Sequence, residues 1–86
     1  MTERETGVTL VKLVRRDGLT CYLCGKTCDW NDKRWGDFGP DYPSVDHVIP
    51  LAKGGGHVWG NVKVACARCN ASKRDTLPDE RGYGWR

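Results

Sequence analysis

Val45-Asp46-His47-Val48-Ile49-Pro50-Leu51 lies between two Cys-x-x-Cys knuckles, Cys21-Tyr22-Leu23-Cys24 and Cys66-Ala67-Arg68-Cys69, and Asn70 follows the last cysteine directly. The stretch alternates and reads as a short strand stopped by Pro50, because proline removes a ladder donor. Each knuckle can chelate one ion from a single turn, and two knuckles complete a tetrahedron of sulfurs. The chain therefore carries two kinds of ligand: soft thiolates that suit zinc, and a carboxylate, an imidazole and an amide that suit a harder cation.

The rest of the composition makes a metal clamp necessary. With 86 residues, 38% of them hydrophobic, the chain reads as one domain over residues 1–86 with a small core. Such a core yields only a few kcal/mol, whereas zinc binding in small zinc peptides is worth roughly 10–16 kcal/mol at neutral pH. A net charge of +3 is mildly basic and compatible with nucleic acid, but equally with a solvated surface. No stretch is long or apolar enough for a bilayer, so no membrane partner is expected. Met1-Thr2-Glu3-Arg4-Glu5 does not resemble a signal peptide, so an intracellular, reducing location is expected, and with it metal ligation rather than disulfides.

Working outward, Thr2 with Glu5 fits a capping box, and Val8, Val11 and Val14 recur with Leu10 and Leu13. A helix is predicted from about residue 3 to 16, ended at Asp17-Gly18. Gly25 allows the first knuckle to curl. Residues 29–44, rich in Gly, Pro and Trp, read as loop, Lys53-Gly54-Gly55-Gly56 as a flexible loop and Val62 to Ala65 as a second strand. Ala67 to about Thr76 reads as a helix closed before Pro78, and 77–86 as a loose tail.

The knuckle spacing favours a closed, structural Cys21/Cys24/Cys66/Cys69 zinc site. Two disulfides in a secreted scaffold, or a redox Cys-x-x-Cys, are the competing readings. Cys28 reads as an unligated thiol in a loop. Phosphodiester hydrolysis needs a deprotonated water, an offset for phosphate charge and a stabilised leaving oxygen. His47 suits the first task, and Asp46 and Asn70 offer hard oxygens for a divalent ion. Neighbours on a strand point to opposite faces, so Asp46 and His47 can share a site only if the strand is distorted at its end.

Taken as a string, Arg16-Asp17-Gly18-x-x-Cys21-x-x-Cys24-Gly25, Asp46-His47-Val48-Ile49-Pro50-Leu51-x-Lys53-Gly54-Gly55-Gly56-His57-x-Trp59-x-Asn61-Val62 and Ala65-Cys66-x-x-Cys69-Asn70-x-x-Lys73 resemble the HNH endonuclease family, in its small zinc-stapled phage and bacterial form. The resemblance covers a core of about residues 8–76. It implies a small α+β zinc-stabilised domain: a ββα-metal core (the His-Me finger) with an N-terminal helix and a four-cysteine zinc site. It implies a metal-dependent DNA endonuclease leaving a 3′-hydroxyl and a 5′-phosphate. His47 would be the general base, and Asp46 and Asn70 the ligands of a catalytic Mg²⁺ or Mn²⁺. Asn61 would be structural, holding the histidine strand across the loop. Asn70 stands where the family's final histidine often stands, so this resembles the His-Asn-Asn variant.

Other positions keep two readings. His57 either lies near the scissile phosphate or, as the sequence favours, packs on Trp59 or caps the loop. Lys73, Arg68 and Arg74 form a candidate DNA-binding face that also reads as solvated helix. Trp30, Trp35 and Trp59 read as core sooner than as base-stacking residues. With no separate DNA-reading domain in the chain, low sequence specificity is expected, with a partner (phage packaging is one setting, in the host cytoplasm) supplying the rest, as monomer or dimer. The alternative is a non-catalytic zinc module for nucleic acid or protein.

Overall fold

The computed structural model describes residues 4–73. In order, these form helix α1 (Leu10–Asp17), strand β1 (Pro43–His47), 3-10 turns at Leu51–Lys53 and Trp59–Asn61, strand β2 (Val62–Cys66) and helix α2 (Ala67–Lys73). The strands pair antiparallel, with Pro43 opposite Cys66, Val45 opposite Val64 and His47 opposite Val62. The result is a small α+β architecture in which α2 follows β2 without a linker.

Helix α1 starts later than the capping-box reading predicts. Thr9 is its N-cap, extended at φ −130°, with its side chain accepting from the Lys12 amide. Gly7 at φ +87° takes the left-handed conformation that interrupts a helix. Ahead of it, Arg4 forms a parallel bridge with His57, and the Glu5 amide donates to the His57 carbonyl at 2.9 Å. The Glu5 carboxylate, expected to cap its own helix, instead accepts the Trp59 amide at 2.7 Å. Thr2 lies outside the described residues. At the other end, Gly18 (φ +82°) closes the helix, its amide reaching the Val14 carbonyl at 2.7 Å.

The core follows from which face of each element is apolar. Leu13, Val62, Val64, Ala65 and Cys66 are essentially inaccessible, joined by Val8, Cys21, Cys28 and Cys69. Val11, read as part of the same stripe, is 56% exposed. Trp59 packs on the edge of this cluster, but Trp35 is 53% exposed.

The stretch from residue 29 to 42 has no periodicity yet is well tied. The buried Asp32 carboxylate accepts the Arg34 guanidinium at 2.8 and 3.0 Å and the Asp41 amide at 2.9 Å. The hydrogen bonds from Arg34 hold that carboxyl well below the ordinary range. Trp30 meets Tyr42 edge-on at 5.5 Å between ring centres. The loop then hands its carbonyls to the start of α2: the Ala67 amide donates to Tyr42 (2.8 Å) and the Arg68 amide to Pro40 (2.9 Å).

Between the strands, the glycine-rich loop is closed and not slack. The Gly55 amide donates to the Pro50 carbonyl at 3.0 Å, and a β-carbon added at Gly55 would collide with the Ile49 carbonyl and crowd the Asn61 amide. Gly55→Ala should therefore lower stability by about 1–3 kcal/mol, the usual cost of overpacking. Thermal denaturation of the metal-loaded protein checks this, and Gly60→Ala, which meets nothing within 4 Å, is the matched control.

Candidate active site and metal centre

The first knuckle is a small hairpin. The Cys21 amide donates to the Lys26 carbonyl and the Gly25 amide to the Cys21 carbonyl, each at 2.9 Å, with Gly25 at φ +78°. The second knuckle spans the β2–α2 junction, with Cys66 ending the strand and Cys69 in the first turn of the helix. These two pieces bring all four sulfurs within 4.8 Å of one another. Cys24 and Cys66 stand 3.9 Å apart, near the roughly 3.8 Å edge of a tetrahedron with 2.3 Å metal–sulfur bonds. All five cysteines are free. The donor set fits a metal that prefers thiolates and tetrahedral geometry. Burial pushes the Cys66 and Cys69 thiols up, so a metal must displace their protons. Cys28, buried beside this cluster, is pushed up to about 12 by burial first and by the neighbouring thiols second.

Asp46 projects from β1 into the interior and is only 2% exposed. Its carboxylate accepts the Tyr22 hydroxyl, so one of the two residues between the first knuckle's cysteines holds the candidate metal ligand. The other oxygen faces the Lys73 ammonium at 3.4 Å, and that ammonium also donates to the His47 carbonyl at 2.7 Å. Burial raises the Asp46 carboxyl, while Tyr22 and Lys73 pull it back down. Burial with the adjacent carboxylate pushes the Tyr22 phenol far up, so Tyr22 acts as a donor.

Lys73 corrects the expectation of a DNA-contacting or solvated helix residue. Its side chain has no exposure, because α2 turns this position onto the β1 backbone and Asp46. Arg68 remains half-exposed, its guanidinium 3.4 Å from Asp41 and beside the Cys66 thiol. Arg74 lies outside the described residues.

Asn70 donates its amide nitrogen to Ser44 Oγ and to the Val45 carbonyl, both at 3.0 Å. This uses the nitrogen on β1 and leaves Oδ1 as the group's acceptor. Asn70 thus bonds to β1 at Ser44 and Val45, the two residues before Asp46. The His47 ring does not join Asp46 or Asn70 directly: alternation along the strand sends it elsewhere, with Nε2 at 2.9 Å from His57 Nδ1. Burial, then His57, holds the His47 imidazole below its ordinary value. Trp59 lies under the Arg16 guanidinium at 5.2 Å.

Asn61 is 9% exposed and satisfied on both ends. Oδ1 accepts the Ile49 amide at 2.9 Å, and Nδ2 donates to the carbonyls of Ile49 (3.0 Å) and Gly56 (2.9 Å). Both sides of the inter-strand loop are thereby stapled to the start of β2.

Tyr22 is the member of this site that sequence reasoning missed, and Lys73 is one to which it gave a different role. Lys73 had a signal, since it sits three residues after Asn70 on one helix face. Tyr22 had none, because its reach to Asp46 depends on the tertiary placement of the knuckle.

Compared with known proteins, residues 21–83 match the family described as HNH endonuclease. No curated protein sequence matches the chain.

Two outcomes test these arrangements. Chelation of the metal, or Cys66→Ser, should abolish the native far-UV circular dichroism, since binding worth roughly 10–16 kcal/mol exceeds what a domain of this size holds in reserve. Asn61→Ala should lower the thermal midpoint while leaving metal content intact, at a cost of about 1–3 kcal/mol for the buried groups left unpaired.

Proposed function

The chain belongs to the HNH endonuclease family, and on that premise we propose that it is a metal-dependent DNA endonuclease whose four cysteines hold a structural zinc. The observation that carries this reading is the junction of β1 and α2: Asn70, one residue from Cys69, bonds to β1 at Ser44 and Val45, next to Asp46 in that strand, and His47 ends it. Asp46 and Asn70 would hold a divalent ion, magnesium or manganese, which supplies positive charge for the phosphate and the leaving oxygen.

The chain's own groups do the remainder. His47 takes a proton from the attacking water, a task suited to an imidazole whose charged form burial disfavours. Tyr22 fixes the Asp46 carboxylate by hydrogen bonding, so the ligand is oriented before any cation arrives. Lys73 supplies the counter-charge for Asp46 and must yield it when a divalent ion is held there. Arg68 offers an exposed cation to the DNA backbone, conferring affinity without sequence reading. Specificity, and a phage or host setting, then fall to a protein partner.

Two observations favour the non-catalytic zinc module instead: the Asp46 carboxylate is already bonded to Tyr22 and Lys73, and the His47 ring turns from it to His57. A plasmid assay separates the two. Zinc-loaded protein should nick supercoiled DNA with magnesium or manganese, and His47→Ala should lose about 10²–10⁴-fold in rate while keeping its zinc and its fold. Intact plasmid across divalent ions, from folded protein, overturns the enzyme.

A further inference from the structure

His57 is fixed more firmly than a loop residue needs to be. Its carbonyl accepts the Glu5 amide at 2.9 Å, and its backbone bridges Arg4. The preceding carbonyl, Gly56, is held by Asn61 Nδ2 at 2.9 Å. Its ring is held at both nitrogens: Nε2 lies 2.9 Å from the Val8 carbonyl and Nδ1 lies 2.9 Å from His47 Nε2. The two rings stand 5.2 Å apart at 51°, so the contact runs between nitrogens and is not a stack.

The proton directions follow from the far end. A carbonyl only accepts, so His57 Nε2 carries hydrogen and donates to Val8. A neutral imidazole has one N–H, which makes His57 Nδ1 an acceptor. His47 Nε2 must then donate to it, and the lone pair of His47 is left on Nδ1. We propose that His57 is a positioning residue for His47: it relays the polarity of the Val8 carbonyl, selects the Nε2–H tautomer and leaves Nδ1 as the nitrogen that accepts the water's proton. The role rests on reading His47 as the general base, but the tautomer itself does not.

This assigns work to the segment before α1. Val8 stands between Gly7 and the Thr9 cap, and its side chain is buried in the core, so the carbonyl that starts the relay is set by packing. The relay thus begins in the core, passes through the inter-strand loop and ends on the last residue of β1.

The experiment is a long-range ¹H–¹⁵N spectrum of the imidazoles in the full-length, zinc-loaded chain without added magnesium, at mildly alkaline pH, with kinetics on plasmid beside it. The spectrum should show His47 as the Nε2–H tautomer and His57 likewise. His57→Phe should release His47 to a tautomer mixture and lower kcat by roughly 10–100-fold with little change in KM, as loss of an outer partner does. His57→Asn, whose carbonyl oxygen can accept from His47 Nε2, should restore both the tautomer and most of the rate. An Nδ1–H tautomer at His47 in the wild type, or an unchanged tautomer in His57→Phe, overturns the proposal. The Nε2–H relay in a wild-type protein that cuts no DNA would uphold the tautomer assignment and overturn the endonuclease reading and the positioning role together.

Discussion

Cys66 and Cys69 sit on either side of the point where β2 becomes α2, and the sulfur cluster ties that point to the hairpin carrying Cys21 and Cys24. The contacts made to Asp46 hang from this clamp. It sets the rotation of α2, and with it the faces on which Asn70 and Lys73 lie. It also carries Tyr22, whose hydroxyl reaches Asp46, so both pieces of the clamp bear on the same carboxylate, one through Tyr22 and the other through Lys73. A chain with nine buried apolar residues in its described core has little else with which to fix side chains at ångström precision.

Much of this was legible because it is local. The Cys-x-x-Cys spacing, the strand before Pro50, the second strand at Val62 and the helix after Cys66 each follow from a few consecutive residues, and the structure places all of them close to where the pattern does. What failed was the start of α1. Thr2 and Glu5 fit a cap, but Gly7 takes a left-handed conformation and residues 4 and 5 pair with the 57–59 loop instead. Propensity gave way to a long-range backbone contact, which no window of sequence displays.

The site divides along the same line. His47, Asp46, Asn61 and Asn70 stand out by type and spacing. The groups that orient the site do not, because Tyr22, Val8 and Lys73 reach it across separations of 24 to 49 residues. A lysine on a basic helix reads as solvated, and only the packing of α2 on β1 shows its ammonium turned inward. Partners of that kind decide how a side chain is oriented and protonated, and they are the part of a site that composition conceals.

In the proposed site, the inward lysine would also set a threshold for occupancy. Asp46 already owns a counter-charge, so an incoming cation gains only the difference between what it offers and what the ammonium surrenders. A monovalent ion brings no more charge than the group it evicts, whereas a doubly charged one does. On the proposed function, discrimination by valence would follow from this pair itself, before ligand number or cavity size has any say.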